Sequence, residues 1–281
     1  MTDAPLAFVL PPKLTAEGLK SRLGAHVALQ MGLSTPVERI YYDTFDWRLY
    51  CAGLALEQDC ASGATTWRLY SLENGEDVAA AGSPDAGPTS CAEPVPFFAA
   101  DLPDGSLRAA LEPLTAIRAL LPLAHLTGDI TTLRIFNKDI KTVVRVAVET
   151  THLVNSEAQL PAVARLLPVR GYNRWLKEVR ELLAAMPGME PSPQDPMILA
   201  VETAGHQPGD YSSGLGITLD PDSPAADSAR IIHRALFEAM ERNEPGVRAD
   251  IDSEFLHDFR VAVRRTRSAL SQIRDVFLLS R

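Results

Sequence analysis

Residues 254–270 read EFLHDFRVAVRRTRSAL, with four arginines and one histidine in a chain whose formal net charge is −9. The apolar spacing predicts a helix from about Asp252 to Phe277, roughly 26 residues and about 39 Å long at 1.5 Å per residue. On a wheel at 100° per residue, Phe255, Phe259, Val263, Thr266, Leu270, Ile273 and Phe277 fall within roughly 80°, a core face. His257, Arg260, Arg264, Arg267 and Arg274 occupy an adjacent arc of about 100°, and Arg265 lies on the opposite flank. From His257 to Arg274, Asp258 is the one acid.

Like charges stacked at three- and four-residue spacing cost helix stability unless an anion meets them. Every basic position except His257 is arginine, whose planar fork of donors matches phosphate oxygens two at a time. Successive members stand about 5 Å apart along the axis, so a linear polyphosphate can engage several forks at once. His257 adds a titratable donor.

The 281 residues suffice for one large or two ordinary domains, and 46% hydrophobic with 22% charged residues is the balance of a soluble globular chain. The acidic total gives the whole-molecule field the wrong sign for coating nucleic acid or an anionic membrane, so any polyanion has to be met locally. Cys51, Cys60 and Cys91 are odd in number and lack ligand spacing, which predicts reduced thiols. The opening MTDAPLAFVLPPK is not of signal-peptide type, and no apolar run reaches about 18 residues. The expectation is a cytoplasmic location.

The fold class expected is α+β: an antiparallel β tunnel or barrel-like domain with flanking helices, then an incomplete α-helical bundle. LAFVLP, VERIYYDTFDWRLYCAGLALEQD and TTWRLYSL carry the aromatic and β-branched residues of strands. KTVVRVAVET alternates with period two and predicts one buried and one wetter face. Residues 75–106 read as a mobile loop, and NRWLKEVRELLAAMPG as an amphipathic helix stopped by Pro187-Gly188. Residues 1–187 are the expected first domain, 188–222 a Pro/Gly-rich linker and 223–281 the helical part. In that last part, SPAADSARIIHRALFEAMERN predicts a helix ended by NEPG.

EFLHDFRVAVRRTRSAL closely resembles the signature of CHAD domains, helical domains named for their conserved histidines, and the match extends back through NEPGVRADIDS. The resemblance implies binding of inorganic polyphosphate and association with polyphosphate granules. The residues matching the family pattern are His257, Arg260, Arg264, Arg265 and Arg267, and the helical wheel adds Arg274 to the expected site. YYDTFDWRLYCAGLALE is similar to strands of the CYTH, or triphosphate tunnel, domains that often precede CHAD domains, and LLPVRGYNRWLKEVRELL resembles a segment common in such fusions. Together these resemblances imply a bacterial CYTH–CHAD fusion.

Two departures shape the functional expectation. Active tunnel enzymes open with an ExExK strand, whereas this chain has PLAFVLP; where arginines should follow the turn it has Glu57 and Asp59. The tunnel is therefore expected to be degenerate, with Glu57 and Glu149 read as exposed strand acids rather than metal ligands. The helical part is short for a CHAD domain, which predicts a truncated bundle and self-association through exposed helical faces. The leading expectation is non-catalytic polyphosphate binding without a cofactor. The alternative is a metal-dependent triphosphatase or nucleotidyl cyclase using magnesium or manganese. A third reading is an interaction module for acidic protein; nucleic acid is disfavoured by the lack of stacking aromatics beside the arginines.

Overall fold

The computed structural model describes residues 6–61, 64–83, 93–154, 156, 158, 160–192, 194–212, 214, 216–273 and 276. Along the chain run β1 (Ala7–Val9), α1 (Ala16–Gly24), β2 (Ala28–Thr44), α2 (Arg48–Cys51), β3 (Leu54–Ala61), β4 (Ala64–Ser71) and β5 (Asp77–Ser83). They are followed by α3 (Ser106–Thr115), β6 (Leu120–Phe136), β7 (Thr142–Leu153), β8 (Val163–Pro168) and α4 (Asn173–Ala184). The last elements are β9 (Glu190–Pro191), α5 (Pro196–Thr203), α6 (Ala225–Arg248) and α7 (Ser253–Gln272).

The strands form one antiparallel sheet in the order β5-β4-β3-β2-β6-β7-β8-β1-β9. The expected antiparallel α+β architecture is present as an open sheet, with β5 and β9 at its edges. β2 and β6 pair from Ala28–Phe136 to Thr44–Leu120, with register shifts that bend the ribbon. Gly128 sits where a Cβ would come within 2.0 Å of the Thr150 carbonyl oxygen, so the β6–β7 approach requires glycine there.

Alternation along each strand divides the cores. Ile40, Tyr42, Leu56 and Leu69 pack with Leu107 and Leu111 of α3. Farther along the sheet, Leu133, Val144, Val146 and Val148 pack under Leu19 of α1 and Val179 and Leu183 of α4. On the opposite side, Tyr41, Tyr70 and Leu126 pack against Met197, Ala200 and Val201 of α5. Within the stretch 188–222, α5 and Tyr211 belong to this cluster, while β9 pairs with β1 at the sheet edge with both residues exposed.

Several expectations change. Ala147 and Glu149 of β7 are buried and line a polar hollow, while Arg145 on the same face is exposed. Residues 77–83, expected as loop, form the edge strand β5 because β4 offers a free row of backbone partners that outweighs the weak strand preference of alanine and glycine. Residues 84–92 of the same expected loop lie outside the described residues. NEPG does not end its helix: α6 continues through Pro245 to Arg248. Proline there removes one backbone donor, while the Asn243 amide donates to the Ala239 carbonyl and Gly246 admits Phe255. A Cβ at Gly246 would stand 2.3 Å from the Phe255 ring. Cys60 is disulfide-bonded and Cys51 is a free, exposed thiol, so the expectation of three reduced thiols fails at Cys60. Cys91 lies outside the described residues.

Candidate functional site

The helical pair is fastened to the sheet by one buried cation. Arg118, 1% exposed, lies 2.7 Å from Asp258, 3.6 Å from Asp252 and 3.4 Å from Asp46. Burial works against its charge, and Asp46, Asp258 and Asp252 more than offset that effect. Asp252 accepts from the Glu254 and Phe255 backbone N–H groups as the N-cap of α7, and from Ala119 N–H on the sheet side. Tyr211 donates to Asp258 at 3.1 Å and accepts from the Asn243 amide at 2.7 Å. Phe45 packs on both Tyr211 and Phe255.

This anchoring sets the rotation of α7. Phe255 and Ala262 are buried, with Asp258 between them turned toward Arg118, whereas Leu256 and Leu270 are 44% and 57% exposed. The core face expected at Phe259, Val263 and Leu270 is thus corrected: Phe259 and Val263 are half-buried and line an outward groove. Phe277 lies outside the described residues.

That outward face of α7 carries His257, Arg260, Arg264 and Arg267, with Ser268 and Ser271 beyond them and Glu254 at its start. All four basic side chains are exposed. Among the described residues, the ion pairs of the helical part join Arg118 to Asp252 and Asp258, Arg230 to Asp227, Arg242 to Asp210 and Arg248 to Glu244. None involves the arginines of α7. Arg265 faces a second groove shared with Arg242 and Asp258. Arg274 lies outside the described residues. The helical spacing in the sequence thus places four basic groups on one surface and Arg265 on another flank, as the structure has them.

A second charged region occupies the sheet face opposite α3. Cross-strand register sets Arg39 opposite Asp59 and Glu57 opposite Arg68. Arg39 donates to Glu149 at 2.8 Å and to Asp59 at 3.0 Å; Arg68 donates to Glu57 at 3.2 Å and pairs with Asp77. Arg165 reaches Glu149 at 3.4 Å. These groups line a hollow of about 550 Å³, closed at one end by the start of α5. Glu57 and Glu149 are 3% and 8% exposed, which corrects their reading as surface acids. Burial raises Glu57, and Arg39 and Arg165 only partly counter it. Burial acts on Glu149 in the same direction, but the same two arginines prevail and hold it below the usual carboxylate range.

An active triphosphate tunnel would hold a divalent metal on carboxylates free to coordinate it. Here Glu57, Asp59 and Glu149 are engaged by arginines, and Phe8 of β1 belongs to the opposite core. Among the described residues, no group of three or more His, Cys, Asp or Glu side chains is placed to hold a metal ion.

No protein with a curated description matches the chain. Among solved structures, a candidate adenylate cyclase from Bacillus halodurans is 15% identical, with 70% of this chain and 97% of that chain covered and a TM-score of 0.44. A Pyrococcus horikoshii protein is 9% identical, covering 71% and 96%, with a TM-score of 0.37. A candidate adenylyl cyclase from Hippeastrum, described as having a dominant triphosphatase activity, is 10% identical, covering 74% and 98%, with a TM-score of 0.35. Residues 231–280, the segment that carries the arginine groove, match the CHAD domain family.

Proposed function

We propose that the chain binds inorganic polyphosphate without catalysis, along the outward face of α7. The observation that carries this reading is the exposure of His257, Arg260, Arg264 and Arg267 along one groove, with Asp258 drawn away by Arg118. Arg265 contributes from the flank. Guanidinium forks take phosphate oxygens in pairs, and several weak contacts along one chain add through effective concentration. A cytoplasmic location and association with polyphosphate granules belong to the same proposal. Among the described residues no helix is long and apolar enough to cross a membrane.

Titration of fluorescent polyphosphate at several salt concentrations tests the reading. Binding weakens steeply with salt and weakens again in Arg264→Ala and Arg267→Ala. No binding at low salt would refute it. The competing reading, metal-dependent triphosphatase or cyclase activity in the sheet, requires phosphate or pyrophosphate release with magnesium or manganese. Turnover abolished by Glu149→Gln would favour it over the binding proposal.

A further inference from the structure

We propose that the hollow of the sheet, separate from the α7 groove, binds a linear aliphatic oligoamine. Its lining carries the carboxylates of Glu57, Asp59, Glu76, Asp77, Glu149 and Asp195. Among the described residues, only Arg39, Arg68 and Arg165 oppose them there, so acids outnumber guanidiniums. The excess persists once the ion-paired groups are set aside. Among the described residues, the Asp195 side chain accepts only from the Tyr70 hydroxyl and Met197 N–H, and that of Glu76 from the Asn74 amide, all neutral donors. Deeper in, Glu57 Oε2 is buried with no hydrogen-bond donor. The nearest guanidiniums, of Arg39 and Arg165, stand 3.8 and 3.9 Å from it.

The carboxylates are interleaved with guanidiniums and do not converge, an arrangement suited to several spaced ammonium groups rather than one compact ion. Between them the walls are aliphatic: Leu6, Ile130, Leu167, Pro168 and Pro196. Methylene spacers would lie along these side chains while the ammonium groups meet carboxylates. A free triphosphate would meet a net negative lining.

Calorimetric titration of the full chain with spermidine tests this. The expected result is one saturable site, weakened about tenfold by Glu76→Gln combined with Asp195→Asn, whose asparagine still caps α5. Glu76→Gln alone, at an exposed position, gives a smaller loss and keeps the test open if the double variant folds poorly. Arg264→Ala leaves spermidine binding unchanged, which separates this site from the polyphosphate groove. Absence of saturable binding, affinity equal to the parent's in both carboxylate variants, or saturable tripolyphosphate binding that survives loss of the α7 arginines would overturn the proposal.

Discussion

Arg39, Arg68 and Arg165 stand on the sheet among Glu57, Asp59, Asp77 and Glu149, whereas Arg260, Arg264 and Arg267 stand on α7 facing solvent. The same residue type serves opposite ends. A guanidinium taken out of water needs carboxylates beside it, which leaves little of its charge for an anionic ligand. An exposed one keeps its charge available, and α7 tolerates the repulsion because Arg118, Asp252 and Phe255 fix the helix from its other side. Burial therefore makes the sheet arginines structural, and the exposure of the helix arginines is what the binding proposal rests on.

The largest effect expected from breaking this contrast is at Arg39. Arg39→Ala removes the guanidinium from Asp59 and leaves Glu149 with Arg165 alone, and urea unfolding should show a loss of about 3–5 kcal/mol; a near-neutral result would dissolve the distinction. Asp43 supplies a buried acid held by backbone N–H groups of Thr44, Leu49 and Tyr50. Burial pushes it up to about 7 despite those bonds. Because the folded form binds the proton more tightly, its contribution is present at low pH and is lost as pH rises from the ordinary carboxylate range through about 7. Asp43→Asn should flatten that part of the stability profile, measured by urea unfolding across pH, by up to about 4 kcal/mol.

On the exposed side, Arg264→Ala with Arg267→Ala should weaken polyphosphate binding by about 2 kcal/mol, roughly thirtyfold. Its unfolding free energy should stay within about 0.5 kcal/mol of the parent. Gly246→Ala should cost about 1–2 kcal/mol in thermal unfolding by forcing a Cβ against Phe255. Arg265→Ala should be the mildest, changing polyphosphate affinity by less than about 0.5 kcal/mol, because its side chain faces the other groove.

Much of this is legible in the residues. The three- and four-residue spacing of His257, Arg260, Arg264 and Arg267 gives a common surface because helix geometry is local. The rotation of α7 is not legible, because it depends on Arg118, distant in sequence and unremarkable by itself. Glu57 and Glu149 escape a sequence reading for a related reason: strand alternation gives two faces but does not say that residues on both are buried. Pro245-Gly246 has the composition of a stop signal, yet tertiary packing against Phe255 makes it a contact point within α6.

The most direct test is to follow arginine side-chain Nε–H resonances by NMR during titration with long-chain polyphosphate. Signals of Arg260, Arg264 and Arg267 should shift in a saturable way, with those of Arg39, Arg68 and Arg165 unmoved. Shifts confined to the three sheet arginines, with the α7 signals unchanged, would contradict the account.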